Sequence, residues 1–153
     1  MEQIKATETL VDSSLRETKM HGTVGFPVGV YLDDFSDFKN GYICWHWHED
    51  MELWQVLEGE MELRVPGQAL LLRAGECAAV NANTLHAGET GCACRLRALV
   101  FHPSLVAGGE DTVFARRYLR PLVACAAFDA CALGAQERQA FESAFTALAV
   151  GGD

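Results

Sequence analysis

Two histidines one residue apart, His46 and His48, are followed four residues later by Glu52, and a third histidine, His86, stands in the separate segment GECAAVNANTLH. In an extended strand, residues two apart share a face and lie roughly 6.5 Å apart along the chain, so His46 and His48 can aim both imidazoles at one point. Glu52 has matching parity if the chain turns through Glu49 and Asp50 into a new strand, and His86 could bring a fourth donor from across the fold. Three imidazoles and a carboxylate suit a borderline first-row divalent ion, Zn, Fe, Mn, Ni or Cu, and residue types alone do not choose among them. Without an ion the same four residues would line a polar cavity, where buried polar groups need partners.

The neighbours divide by the same parity. Trp54 shares the face of Glu52, either as an aromatic wall for a bound ring or as an ordinary core tryptophan. Tyr42 and Cys44 continue the inward parity of the histidine strand, and Asn81 and Asn83 bring amide groups near His86. All four are candidate ligand contacts, with turn chemistry the competing role for the asparagines. Trp45 and Trp47 face outward, an apolar patch that needs a cover. The stripe Phe141, Phe145 and Leu148 on a C-terminal helix, or a second subunit, is the expected one. Arg73 and His102 could reach the cavity mouth, and His21 is expected in solvent. Cys92 and Cys94 form a C-x-C pair that could join a metal or redox site, or serve as small buried strand residues.

These side chains need a scaffold of short strands. From Phe26 onward, FPVGVYLDDF, YICWHWH, MELWQVLEG, EMELRVPG, ALLLRAG, CAAVNAN and CRLRALVF are apolar or alternating runs separated by Gly, Asn, Asp or Pro, the spacing of an all-β sandwich or barrel. In EMELRV, Met61, Leu63 and Val65 oppose Glu60, Glu62 and Arg64. In CRLRALV, Cys94, Leu96, Ala98 and Val100 oppose Arg95 and Arg97, so one face of each strand is read as wet. VPGQ and RAGE are tight-turn signals. After Pro103 the spacing turns helical: Phe114 and Tyr118 stand four apart before Pro121 stops the pattern, and QERQAFESAFTALAV forms a last helix ended by Gly151 and Gly152. The expected division is a loosely held leader over residues 1–22, a barrel over 23–105 and C-terminal helices over 106–153.

At 153 residues the chain suits one domain. Its net charge of −9 and the absence of a Lys/Arg cluster argue against direct binding to a phosphate backbone. No signal-like N-terminus and no long apolar run is present, so a cytoplasmic location, no membrane association and six reduced cysteines are expected.

The residues resemble the two signature motifs of the cupin superfamily. The first, G-x5-H-x-H-x3,4-E-x6-G, is followed by Gly41, His46, His48, Glu52 and Gly59, with four residues instead of five after the first glycine. Of the second, G-x5-P-x-G-x2-H-x3-N, Gly75 and His86 keep their places, while Asn81, Asn83 and Thr90 replace the Pro, Gly and Asn. That resemblance implies a small jelly-roll barrel with a metal-ligand set at His46, His48, Glu52 and His86. More narrowly, HWHEDMELWQVLEGEMEL, GECAAVNANTLHAG, ALVFHPSLV and FARRYLRPLV look like the N-terminal effector-binding domain of AraC-family transcription regulators. This second resemblance implies a homodimeric module that senses a sugar or small organic acid. Its DNA-binding helix-turn-helix part would lie outside this sequence, a regulator fragment or standalone sensor being the expectation. A metal-dependent cupin enzyme, a dioxygenase or isomerase, is the alternative.

Overall fold

The computed structural model describes residues 9–36, 41–109 and 111–150. Eight strands form in succession: β1 Val28–Phe35, β2 Tyr42–His46, β3 Met51–Glu58, β4 Glu60–Val65, β5 Gln68–Arg73, β6 Cys77–Val80, β7 His86–Glu89 and β8 Cys94–Phe101. They build two antiparallel sheets, one ordered β1-β8-β3-β6 and extended by a late strand β9, Ala130–Ala132, the other ordered β2-β7-β4-β5. The apolar halves of the alternating strands meet between the sheets, where Trp54, Val56, Met61, Leu63, Leu72 and Leu96 are almost fully buried. This is the expected all-β jelly-roll sandwich with a helical C-terminal part, which begins with the one-turn helix α1, Ser104–Ala107.

Turn chemistry fixes the register. Between β3 and β4, Gly59 has φ +74°, and a Cβ there would stand 2.2 Å from the Ala93 carbonyl oxygen. Only glycine combines that left-handed backbone with so close an approach. The VPGQ turn joins β4 to β5 as expected, in register from Val65↔Gln68 to Glu60↔Arg73.

The outer face of the five-stranded sheet is not wet. Helix α3, Ala135–Val150, lays Phe141 and Phe145 onto Val30, Cys77 and Leu99. Arg97 belongs to this outer face too. Its Nε donates to Gln55 Oε1 at 2.7 Å and its guanidinium lies 4.8 Å from the Phe145 ring centre, while Gln55 Nε2 donates to Glu142 Oε1 at 2.7 Å. The helical stripe therefore covers β1, β6 and β8 instead of Trp45 and Trp47, and Trp47 is covered by residues 14–16. The indole Nε1 of Trp47 donates to Ser14 O at 3.0 Å, and Arg16 lies over its ring at 5.7 Å.

Two further expectations change. Pro121 does not stop the helical run: a π-helical turn over Ala115–Leu119 leads into a short helix α2, Arg120–Val123, and the irregular turn falls just before the residue that has no N–H to donate. Residues 106–153, expected as helices, also contain β9, which pairs Ala130 with Val80. The Gly151–Gly152 stop lies outside the described residues. All six cysteines are free, and burial pushes the Cys77 and Cys94 thiols up to about 11, which suits small core residues. No helix among the described residues is long and apolar enough to cross a membrane.

Candidate metal and ligand site

The end of β2, the start of β3 and the start of β7 meet at one end of the sandwich. His46 pairs directly with His86 in the β2–β7 ladder, with ring centres 4.1 Å apart. Glu52, one residue into β3, places Oε2 3.2 Å from His48 Nε2 and 3.0 Å from His86 Nε2. The donor atoms of His46, His48, Glu52 and His86 all lie within 4.8 Å of one another, and all four residues are buried.

Each imidazole is held from behind. His46 Nδ1–H donates to Cys44 O at 2.8 Å, His48 Nδ1–H to Asp50 O at 3.0 Å and His86 Nδ1–H to Thr84 O at 2.8 Å. A carbonyl oxygen only accepts, so these bonds put a proton on each Nδ1 and turn each Nε2 into the centre, toward Glu52 or a neighbouring ring. Three imidazoles converging on one buried carboxylate call for a shared positive charge, carried by protons on Nε2 or by an ion. A divalent ion supplies it with one particle, and backbone bonds that orient the far nitrogen are what metal-binding histidines use.

The electrostatics point the same way. Burial, with His86 beside it, lowers His46 to about 4, so that ring is neutral at ordinary pH. Burial also opposes charge on His48, but the hydrogen bond and charge of Glu52 outweigh it and the net shift is upward. Glu52 is fully buried, yet the hydrogen bonds from His48 and His86 hold it well below the usual carboxylate range. The centre favours a net positive occupant beside one ionised carboxylate.

A cavity of about 620 Å³ opens onto this centre. Its apolar wall comes from Phe35, Ile43, Trp54, Leu96, Ala98 and Val100, and its polar end from His46, His48 and Glu52 together with Glu17, His21 and Tyr31. Trp54 is both wall and core: it is 1% exposed, and Gly88 gives its ring room on the opposite sheet.

The inward parity expected for Tyr42 and Cys44 fails because the β2–β7 ladder slips between Ile43 and His46. Such a bulge exchanges faces, so Ile43 turns into the cavity. Tyr42, 53% exposed, stands at the rim, and the Cys44 thiol donates to Thr9 O at 3.6 Å. Asn81 is buried but turned from the centre, its Nδ2 donating to the carbonyls of Leu122, Val123 and Phe128 at 3.2, 3.2 and 3.0 Å. Asn83 is exposed in a left-handed turn with φ +61°. Arg73 is exposed at the end of β5, and His102 lies on a second groove, with Nδ1 2.8 Å from Ser104 Oγ; neither lines the main cavity.

His21, expected in solvent, is 6% exposed. Its Nδ1 meets Tyr31 OH at 2.5 Å and its Nε2 meets Glu17 Oε2 at 3.0 Å, which brings a buried Tyr31–His21–Glu17 chain to the polar end of the cavity. The residues that carry it are set by backbone pairing: Glu17 N–H donates to Trp47 O at 2.9 Å and Trp47 N–H to Leu15 O at 3.0 Å. No local pattern signals that pairing.

The two antiparallel sheets form a cupin-like β-sandwich, and residues 39–100 match the family model described as Cupin domain. Over 103 residues, 66% of this chain, the sequence is 28% identical to YdeC of Bacillus subtilis strain 168, described as an uncharacterized HTH-type transcriptional regulator. The match takes in 35% of that protein, so this chain spans about a third of its length. Among solved structures, a cupin superfamily protein from Desulfitobacterium hafniense DCB-2 is similar with a TM-score of 0.47 and 18% identity, covering 55% of this chain and 74% of that one. A Cupin 2 conserved barrel domain protein from Leptotrichia buccalis has a TM-score of 0.46 and 22% identity, covering 54% and 39%.

Proposed function

We propose that this chain is the ligand-sensing part of a transcription regulator, and that its effector is received in the cavity beside a divalent cation held by His46, His48, Glu52 and His86. The observation that carries the reading is a cavity of about 620 Å³ with an apolar wall that ends on a buried, pre-oriented donor set. Regulation is supported by the similarity to a protein described as an HTH-type regulator. The cation anchors and orients a ligand through open coordination positions, which calls for an ion that accepts five or six ligands, such as Fe, Mn or Ni. Binding of the effector, as distinct from the cation, shifts the packing of the C-terminal elements, a second copy of the chain is the expected partner, and DNA is contacted only through a separate domain.

A metal-dependent enzyme is the second reading, favoured by the Tyr31–His21–Glu17 chain, which offers a proton acceptor next to the centre. Metal analysis of protein purified without added ions, followed by a thermal-shift screen of sugars and small organic acids, separates the two. A sensor gains Tm with a compound recovered chemically unchanged, and catalytic conversion of that compound overturns the sensing reading.

A further inference from the structure

Glu17 has no counterpart in the quartet, and its position is built from several directions. Its backbone is paired to Trp47, the residue between the two histidines of β2, and Arg16 beside it pairs with Glu49 at 2.9 Å. Its side chain is about nine-tenths buried, at 8% exposure. One oxygen, Oε2, is fixed by His21 at 3.0 Å, and the same oxygen stands 4.0 Å from His46 Nε2. His46 Nε2 is within hydrogen-bond reach of no other acceptor or donor among the described residues, its ring being held through Nδ1 alone.

Two ligands of one first-row ion stand up to about 4.2 Å apart, twice a bond length of about 2.1 Å. Glu17 lies within that span of His46 and within 4.8 Å of the His48 donor, but does not group with Glu52 and His86, so it joins the ion by a side-chain movement inward from the side of the centre that opens to the cavity. A second carboxylate also completes the charge balance. A divalent ion with three neutral imidazoles and Glu52 keeps one positive charge, which a buried site of low polarity does not tolerate uncompensated.

We propose that Glu17 is an internal carboxylate of the cation centre, occupying the cavity-facing side that an anionic ligand would otherwise take. The inference rests on the cation reading above and sharpens its ligand class. With Glu17 in place the centre is already neutral, and Asp33 and Asp34 outnumber Lys19 on the same lining, so the cavity admits neutral or cationic molecules with hydrogen-bond donors and rejects small carboxylates. Of the two effector classes considered, sugars are retained and simple organic acids are excluded.

The test uses the whole chain loaded with Co(II), whose visible absorption reports the ligands around the ion, and acetate as the probe. In Glu17→Ala, acetate should shift the cobalt spectrum saturably at concentrations at least tenfold lower than in the wild type, because it fills the vacated place. In Glu17→Gln, which keeps an acceptor for His21 but loses the charge, cobalt affinity should fall at least tenfold with the circular dichroism unchanged. Equal acetate midpoints in wild type and Glu17→Ala, or cobalt affinity of Glu17→Gln within twofold of wild type, overturns the proposal while leaving the four-residue centre standing. Failure of the wild type to bind cobalt overturns both.

Discussion

Trp54 Nε1–H donates to Glu52 Oε1 at 2.5 Å, from two residues further along the same face of β3. This bond pins one carboxylate oxygen and leaves the other, Oε2, to face His48 and His86. Trp54→Phe keeps an aromatic wall but removes the donor, so Glu52 is left with a buried oxygen lacking its partner. Divalent-cation affinity should fall by about 10- to 100-fold, as for other outer partners of metal ligands. Stability should fall by ~1–3 kcal/mol. Competition against a chromophoric chelator measures the first and urea unfolding the second; unchanged affinity would mean that the indole does not orient the carboxylate.

The metal-free protein has a pH dependence of predictable sign. His46 is lowered from 6.5 to about 4, so between those values the unfolded chain binds the proton that the folded chain refuses, and stability falls as pH falls. The loss by pH 4 is on the order of 3 kcal/mol for a shift of this size. His48, raised above 6.5, contributes stability that is fully present below that value and lost as pH rises through its folded pKa. Glu52, lowered well below 4.5, contributes above its unfolded value and loses that contribution only at lower pH. Urea unfolding at several pH values between 4.5 and 6.5 should therefore show a slope in the chelator-treated wild type that His46→Asn largely abolishes. An unchanged slope in the variant would assign the dependence to another group.

Helix α3 should be separable from the centre. Phe145 is buried against the outer face of the sheet and stacked under Arg97, whereas the cavity lies on the inner face of the same strands. Phe145→Ala should cost ~3–5 kcal/mol in urea unfolding. Cobalt affinity of the folded protein should remain within twofold of wild type, and a larger loss would show that the packing of α3 is coupled to the donor set.

Period-2 alternation made the sandwich legible, because strands buried on one face carry it openly in Met61, Leu63 and Val65. It also placed His46, His48 and Glu52 together, since parity and one turn suffice to relate them. The same parity misplaced Cys44 and left Tyr42 at the cavity rim instead of inside it, for a single slip between Ile43 and His46 reverses the faces and leaves no mark in residue types. Glu17 and His21 were illegible for a different reason. Their burial depends on backbone bonds between residues 15–17 and Trp47, a pairing across thirty residues with no periodic signature. Arg97 looked solvated until the helix that covers it was placed.

Asn81 tests how far the site extends. Sequence position put it beside His86, but its amide nitrogen serves three carbonyls, those of Leu122, Val123 and Phe128, and its own Oδ1 accepts from the Ala82 N–H at 2.9 Å. The residue thus ties α2 and the chain leading to β9 onto the end of β6, where Asn81 N–H also donates to Asp129 O at 2.9 Å. Asn81→Ala leaves the buried Ala82 N–H and three part-buried carbonyls without their side-chain partner, at a cost of ~1–3 kcal/mol. Hydrogen exchange should quicken across residues 120–130 before it does in β3 or β8, since the lost bonds anchor that segment alone. Cation affinity should stay within twofold of wild type. A tenfold loss of affinity, with exchange at 120–130 unchanged, would return Asn81 to the ligand site and remove it from the scaffold.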